Sequence, residues 1–218
     1  MNIFRSSFGP YFIGGLFIYK RIHKLKKLLI KRLFYRVAQF KNWYWPNRSA
    51  IKNLRVTLKG SAPSCNQYTI VSGKGKLTLG NRCEFGFKLG GRFKNGSIEI
   101  QPRYENAEII ISDNVFTNNN LFICAANSIT IGRGTLIGES VTIMDHEAHG
   151  IPPALRRQTG EIGQVRIGEN VWIGNNVMIL KNSFIGDNTI VAAGAIVSGN
   201  FPSNVIIGGV PANVIRQL

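Results

Sequence analysis

The amino-acid sequence predicts an all-β solenoid, in which short coils stack around a column of like side chains. The main observation is a run of aliphatic residues at regular intervals of six, namely Ile167, Ile173, Ile179, Ile185, Val191 and Val197. A period of six matches neither the 3.6-residue turn of an α-helix nor the simple alternation of an isolated strand. Repeats this short are typical of stacked coils with a shared core.

Two further patterns support the solenoid. A second ladder lies two positions before the first and consists of Val165, Val171, Val177, Ser183, Thr189 and Ala195. The same six-residue phase occurs earlier in the chain, at Ile131, Ile137 and Ile143. We therefore predict a hexapeptide-repeat domain over residues 109–218, interrupted by a loop at residues 146–163 and ending in a short C-terminal tail.

The region before this domain is less regular. Short β-rich pieces occur at Tyr68–Val71, Lys76–Leu79, Ser97–Ile100 and Glu108–Ile111, separated by glycine-rich turns. A solenoid end must shield its exposed core, so its terminal repeats are usually atypical. We predict irregular first coils over residues 61–108.

Positive charge is concentrated in the N-terminal third. The 218-residue chain has a net charge of +16, and 17 of its 27 Lys and Arg residues precede the first acidic residue, Glu84. This asymmetry indicates an anionic partner such as phospholipid headgroups, acidic glycan or nucleic acid, unless the segment is simply a solvated basic extension. Because no recognised nucleic-acid-binding motif accompanies the charge, we expect no nucleic-acid partner.

Residues 1–60 are predicted to form a basic amphipathic helical extension. The apolar segment at residues 8–19 is shorter than the roughly 20 residues that a membrane-spanning helix needs. Apolar positions then recur at helical spacing between Tyr19 and Phe40, and Pro46 is expected to end the helix. Two placements stay open. Residues 8–45 contact a membrane surface, or the helix packs on its own solenoid or on a sister subunit.

Candidate chemistry lies where the earlier coils end. The phrase DHEAHG, residues 145–150, holds two of the three histidines of the chain and opens the loop. Histidine is the usual general base near neutral pH. The cysteines show no metal-ligand spacing and are odd in number, so we expect reduced packing residues and no metal site at Cys65, Cys83 and Cys124.

Three motifs, in this order, resemble one known family. They are the DHxxHG phrase, the coil sequence VRIGENVWIGNNVMI and the ending VSGNFPSNVIIGGVPANVIRQL. Over about residues 105–218 the chain resembles the hexapeptide-repeat acyltransferases, in particular the sugar and polysaccharide O-acetyltransferases related to maltose and galactoside acetyltransferases. The resemblance implies a left-handed parallel β-helix with three strands per coil. It also implies a homotrimer with active sites between subunits and acetyl-CoA as the acyl donor.

The same resemblance places residues on the acceptor side. It puts the catalytic base at His146, which would remove the proton from an acceptor hydroxyl during direct transfer. Asp145 is the candidate for orienting the imidazole, with Glu147 or a backbone carbonyl as alternatives. Asn118 matches an asparagine that contacts the acceptor, although asparagine also favours turns. His149 is a candidate for substrate contact or a plain loop residue.

On the donor side, the resemblance indicates a groove for acetyl-CoA along the later coils. Trp172 is expected to project outward near the pantetheine arm, or to pack between subunits. Ala193 belongs to a run of small residues that lets backbone groups approach the arm. Ser198 and Arg216 match positions near the nucleotide end, where a guanidinium suits phosphate. Relatives often carry a lysine after the position of Ser198, and the candidates for replacing that basic contact are Lys181, Arg156 and Arg157.

The sequence therefore predicts an acetyl-CoA-dependent O-acetyltransferase that modifies a sugar hydroxyl of a cell-surface polysaccharide or its lipid-linked precursor. Two alternatives stay open. One is an N-acetyltransferase of a nucleotide-linked amino sugar, since an amine acceptor also needs a base. The other is a non-catalytic β-helix scaffold. We expect a cytoplasmic protein, placed at the inner face of the cell membrane if its basic helix binds lipid.

Overall fold

The computed structural model describes residues 11–53 and 55–218, and it describes side chains from residue 21 onward except those of residues 22 and 54. Contacts along the chain divide it into two units, Met1–Ala38 and Gln39–Leu218. The sequence analysis singled out an apolar segment at residues 8–19. Its residues 8–10, and all of its side chains, lie outside the described part of the chain.

Helix α1, with bounds Tyr11–Gln39, contains all the described residues of the first unit, and the predicted α-helical N-terminal extension is confirmed. Large apolar side chains on this helix are exposed, among them Leu25, Leu29, Leu33, Phe34 and Val37. Among the described residues, no helix has both the length and the apolar character that crossing a bilayer requires.

Helical structure continues past Pro46, so the prediction that this proline ends the helix is wrong. One π-helical segment, Phe40–Tyr44, leads into helix α2, Trp45–Lys52. Pro46 lies in the first turn of α2, directly after the π-helical segment, where its fixed φ is compatible with the helix.

The rest of the chain forms a parallel β-helix with three sheets as its faces. The first sheet contains β1 (Val56–Leu58), β4 (Lys76–Leu79), β7 (Glu108–Ile111), β10 (Ser128–Ile131), β13 (Gln164–Ile167), β16 (Ser183–Ile185) and β19 (Asn200–Phe201). The second contains β2 (Ser64–Cys65), β5 (Glu84–Phe85), β8 (Phe116–Thr117), β11 (Leu136–Ile137), β14 (Trp172–Ile173), β17 (Ile190–Val191), β20 (Val205–Gly209) and the antiparallel β21 (Ala212–Gln217). The third contains β3 (Thr69–Val71), β6 (Ile98–Pro102), β9 (Phe122–Ala125), β12 (Thr142–Met144), β15 (Met178–Ile179) and β18 (Ile196–Val197).

The six-residue period has a direct structural cause. Ile167, Ile173 and Ile179 lie on the first, second and third sheet in turn, and all three are buried. Eighteen residues later the chain returns to the same face, so that Ile185 pairs with Ile167 in register. Each anchor therefore points into the core from one of three faces, and anchors of successive coils stack on each other.

Asparagine makes the corners of these coils. Asn170, Asn176, Asn182 and Asn188 all adopt the left-handed backbone conformation, with φ between 53° and 60°. Asparagine tolerates this region better than most residues because its short polar side chain bonds locally. This third six-residue ladder was available in the sequence and explains why the turns recur without glycine.

The N-terminal end of the solenoid is closed by the helical segment that precedes it. Trp43 and Ala50 are buried against the first coil. Side-chain amides of Gln39 and Asn42 bond the backbone of β2 at Cys65. This segment supplies the edge of the first coil with hydrogen-bond partners that a preceding coil would otherwise provide.

Candidate active site

The loop at residues 146–163 leaves the third sheet after β12 and returns as β13 begins. Its two ends are held side by side by an antiparallel bridge between His146 and Ile162. The N–H of Glu147 donates to the carbonyl of Glu161 at 2.9 Å, and the N–H of Gly163 donates to the carbonyl of Asp145 at 2.7 Å. These bonds fix the backbone on both sides of His146.

The imidazole of His146 is held at both nitrogens. Its Nδ1 lies 3.0 Å from Oδ1 of Asp145, and its Nε2 lies 3.1 Å from Nη1 of Arg103. A guanidinium can only donate, so Nε2 is the acceptor and the ring proton is assigned to Nδ1, which donates to Asp145. The ring is thus neutral, with its lone pair on Nε2. This is the tautomer that a general base using Nε2 requires.

Asp145 also organises the backbone beneath the histidine. Its Oδ1 accepts the N–H of Ala126 at 2.7 Å, and its Oδ2 accepts those of Asn127 and Ser128 at 2.9 and 2.7 Å. The side chain is fully buried. The structure therefore gives this carboxylate two tasks: it fixes the corner between β9 and β10, and it orients His146.

Arg103 is the residue at this site that sequence reasoning missed. It follows β6, two coils before His146, and its Nε donates to Oε1 of Gln101 at 2.9 Å. The thiol of Cys124 donates to the same oxygen at 3.1 Å. No motif marks Arg103, since only the stacking of coils brings it to His146 across 43 positions of sequence.

Ion pairs hold the outer part of the loop. Lys181 pairs with Glu147 at 3.3 Å and also with Glu161. The hydrogen bond to Glu161 raises the pKa of Lys181, and a backbone hydrogen bond from Glu161 together with Lys181 lowers the pKa of Glu147. Lys181 is therefore engaged at the loop, which leaves it poorly placed to replace a basic contact to the donor.

His149 and Arg156 are tied to each other within the loop. Nδ1 of His149 lies 2.7 Å from the carbonyl oxygen of Arg156, so this nitrogen carries the proton and donates. The side chain of Arg156 bonds the carbonyl of Ile151. A further tie joins the loop to the turn after Arg103, because the hydroxyls of Tyr104 and Thr159 lie 2.6 Å apart.

Asn118 lies on a different face of the same chain. It follows β8 of the second sheet, whereas His146 follows β12 of the third sheet. Asn118 lines a groove with Phe87, Leu136 and Trp172. One chain therefore does not bring Asn118 and His146 together.

The predicted donor residues lie on the later coils. Trp172 in β14 is 56% exposed, and Ala193 follows β17 of the same sheet. Arg216 lies in β21 opposite Ile206, while Ser198 follows β18 on the third sheet. All four side chains are exposed. Across residues 11–53 and 55–218, no three His, Cys, Asp or Glu side chains form a cluster suited to a metal ion.

Comparison with known proteins identifies the family. The bacterial transferase hexapeptide (six repeats) family matches residues 164–199. WbbJ of Escherichia coli, named as an O-acetyl transferase of lipopolysaccharide biosynthesis, is 41% identical over 141 residues, which cover 59% of this chain and 70% of WbbJ. The chain belongs to the hexapeptide-repeat acetyltransferase family.

Another curated relative and two solved structures extend the comparison. The galactoside O-acetyltransferase of Escherichia coli is 40% identical over 114 residues, 51% of this chain, but this chain spans only 55% of that enzyme. The crystal structure of a hexapeptide-repeat-containing acetyltransferase of Vibrio cholerae is similar to this one, with a TM-score of 0.50 and 26% sequence identity. The match covers 84% of this chain and 87% of that one. The N-acyltransferase AntD of Bacillus cereus has a TM-score of 0.57 at 14% identity, over 78% and 88% of the two chains, and is similar in fold. The predicted family, the acyltransferase class and the left-handed parallel β-helix are confirmed.

Proposed function

We propose that this chain is an acetyl-CoA-dependent O-acetyltransferase that modifies a sugar hydroxyl of a cell-surface polysaccharide or its lipid-linked precursor. The observation that carries the proposal is the Asp145–His146 pair at the root of the loop, within a hexapeptide solenoid. Asp145 holds the proton on Nδ1, so that Nε2 has the lone pair that a base needs.

Transfer is direct in this proposal. Nε2 of His146 takes the proton of the acceptor hydroxyl while the hydroxyl oxygen attacks the thioester carbonyl carbon of acetyl-CoA. The carbon–sulfur bond then breaks, and the CoA thiolate takes the proton from the imidazolium. A covalent acyl-enzyme on cysteine is disfavoured, because burial raises the pKa of Cys65 to about 12 and that of Cys124 to about 11.

A polysaccharide or lipid-linked acceptor is supported by two separate facts. WbbJ, the relative at 41% identity, is named for lipopolysaccharide biosynthesis. The N-terminal helix of this chain combines exposed leucines with closely spaced lysines, a composition suited to an anionic membrane surface. We include peripheral contact through residues 8–45, at the cytoplasmic face, in the proposal.

A homotrimer is part of the same proposal. Asn118 and His146 lie on different sheets of one chain, so an acceptor touched by both needs a site formed between copies. The second sheet also presents an exposed apolar stripe made of Phe116, Leu136 and Trp172, which are aligned in register on adjacent coils. A second copy that covers this stripe would bury it and complete the site. His149 is assigned a contact with the acceptor.

The donor groove is proposed along the last coils. Trp172 and Ala193 would line the pantetheine arm, while Ser198 and Arg216 would contact the nucleotide end. Arg216 suits this role because its guanidinium is exposed. One of its N–H groups bonds the carbonyl of Gln217, and the others can donate to a phosphate.

The deciding experiment measures acetyl-CoA turnover with sugars, lipid-linked oligosaccharides and polysaccharides. We expect transfer to one glycan class, and a loss of about 10²–10⁴-fold in His146→Ala with an unchanged circular dichroism spectrum. Arg133→Met, which removes a surface ion pair with Glu169, serves as the control and should retain full rate. Binding of acetyl-CoA without transfer to any glycan would refute the acceptor class. Failure to bind CoA would favour a scaffold.

A further inference from the structure

The lone pair that should act as the base is covered in this conformation. The side chain of His146 has an exposed fraction of 0%, although the structure contains one chain and no partner that would bury it further. The group on Nε2 is the guanidinium of Arg103, 3.1 Å away. A substrate hydroxyl needs to approach Nε2 within hydrogen-bond distance, so Arg103 has to move before transfer.

The guanidinium of Arg103 has no direct ionic partner among the described residues. Within the described part of the chain, no carboxylate forms an ion pair with this guanidinium. Glu99, which belongs to the same hydrogen-bond network, is bonded instead to Ser72 and Gln101, at 2.5 and 3.1 Å. Arg103 is half-buried, and its bonds to Gln101 and His146 are to neutral acceptors. The carboxylate bonded to the same imidazole, that of Asp145, lies on its other nitrogen, so a half-buried guanidinium remains that can pair directly with an anionic group entering the site.

We propose that the acceptor carries an anionic group, a sugar carboxylate or phosphate, which draws Arg103 away from Nε2 of His146 and so exposes the base. This inference rests on the proposed O-acetyltransferase function and specifies its acceptor. In the free protein, Arg103 donates to the lone pair on Nε2 and so keeps His146 in the tautomer whose proton lies on Nδ1 and is donated to Asp145. When the anion binds, its negative charge is the stronger acceptor for the guanidinium. Nε2 is released next to the bound sugar, where it takes the proton of the hydroxyl.

The geometry explains why the release would not disorder the base. Asp145 continues to hold Nδ1, and the bridge between His146 and Ile162 continues to hold the backbone. The turn that carries Arg103 stays tied to the loop through Tyr104 and Thr159. Removing the guanidinium by mutation should therefore leave a base that is oriented and uncovered.

The test compares acceptors that differ only in the anionic group. Methyl glucuronide and glucose 1-phosphate supply the carboxylate and the phosphate, and methyl glucoside is the neutral counterpart. We expect the full-length wild type to show a kcat/KM for one of the anionic acceptors about 10- to 100-fold above that for the neutral one. The acceptor that shows the preference identifies which anionic group is used. A wild type that prefers the neutral sugar overturns the proposal.

The variants separate recognition of the anion from a merely structural role. In Arg103→Met, the rate with the anionic acceptor should fall by about 10- to 100-fold, while that with the neutral sugar should hold or rise. Arg103→Lys, which keeps the charge, should retain part of the preference. Equal losses with both acceptors in Arg103→Met would show that Arg103 only supports the fold of the site.

Binding of the same acceptors, measured by calorimetry without acetyl-CoA, does not depend on turnover. If affinity for the anionic sugar is lost in Arg103→Met and kept in Arg133→Met, the inference is supported even when no acetyl group is transferred. Such binding without transfer would refute the proposed acetyltransferase function and leave the anion site standing. Equal affinity for anionic and neutral sugars, in a wild type that does transfer acetyl, would refute the inference alone.

Discussion

Asn47 pairs with Val71 as a strand backbone would. Oδ1 of Asn47 accepts the N–H of Val71 at 2.6 Å, and its Nδ2 donates to the carbonyl of Thr69 at 2.8 Å. One side-chain amide thus supplies both a donor and an acceptor to the edge strand β3. The residue is fully buried, so water cannot replace these bonds.

Replacing this amide should weaken the whole solenoid. Asn47→Ala leaves two buried backbone groups without partners, each worth about 1–3 kcal/mol. We expect the free energy of unfolding, measured by denaturant titration, to fall by about 2–5 kcal/mol. Lys52→Ala, an exposed position of the same helix, should stay within about 1 kcal/mol of the wild type. Equal stability of the two variants would mean that the amide does not cap the solenoid.

Asp145→Asn should damage both stability and activity. An amide nitrogen would replace one of two oxygens that together accept three backbone N–H groups and the proton of His146. A donor would then face a donor whichever way the amide turns, at a cost of about 1–3 kcal/mol per lost bond. We expect a lower melting temperature together with a loss of acetyl transfer, because His146 is no longer held in one tautomer.

The matched control for Asp145→Asn is Asp187→Asn. Asp187 is exposed, and its Oδ1 accepts a backbone N–H, that of Glu169, at 2.7 Å. An amide oxygen can do the same, so this variant should keep the wild-type stability and rate. If Asp145→Asn behaved like the control, the carboxylate would have neither of the roles assigned to it.

The six-residue period of buried aliphatic residues could be predicted from the sequence because the coil that begins at Ile167 has the regular length of 18 residues. Ile167, Ile173 and Ile179 report three faces of an 18-residue coil, and this periodicity needs no tertiary information. The first coils have the same three faces, but their sequence does not show a regular six-residue period. An insertion at residues 86–97 separates β5 from β6, so that Leu77 of β4 and Ile109 of β7, which pair in register, lie 32 positions apart instead of 18. Strands β1, β2 and β5 were therefore missed.

The candidate site divides in the same way. Asp145 and His146 are adjacent in sequence, so one short motif could point to both. Arg103 meets His146 only because β6, β9 and β12 stack in register on the third sheet. Partners in register are 23 positions apart between β6 and β9 (Ile100 and Ile123) and 20 apart between β9 and β12 (Ile123 and Ile143), so the regular 18-residue count does not hold here. Sequence spacing alone therefore gives no reason to place a guanidinium on Nε2.

The loop should open more readily when its ion pairs are removed. Lys181 joins Glu147 and Glu161 across the two ends of the loop, and Arg156 and Arg157 within it are exposed sites for trypsin. In Lys181→Met we expect cleavage after these arginines to be roughly two- to fivefold faster, while the melting temperature changes little. Arg133→Met, which breaks a pair away from the loop, should leave the cleavage rate unchanged.

Acid should have the same effect on the loop. The pKa of Glu147 is lowered in the folded protein, so its pairing is complete above the ordinary value of 4.5 and is lost as pH falls through the lower folded value. Cleavage by an acid-tolerant protease should therefore rise over that range in the wild type and much less in Lys181→Met. A Lys181→Met loop that stays as resistant as the wild type would show that backbone bonds alone keep it closed.

The three thiols should be inert in the folded protein. All are buried, and burial raises the pKa of Cys83 as well as those of Cys65 and Cys124. With a pKa of about 11, Cys124 is ionised in about one molecule in a thousand at pH 8. Iodoacetamide should therefore label the native protein slowly and leave acetyl transfer intact, whereas denatured protein should be labelled at all three positions. Because the folded pKa values exceed the ordinary 9.0, the unfolded chain loses these protons first, and stability should decline as pH rises above about 9. Rapid labelling of Cys124 with parallel loss of activity would instead favour an acyl-cysteine intermediate over direct transfer through His146.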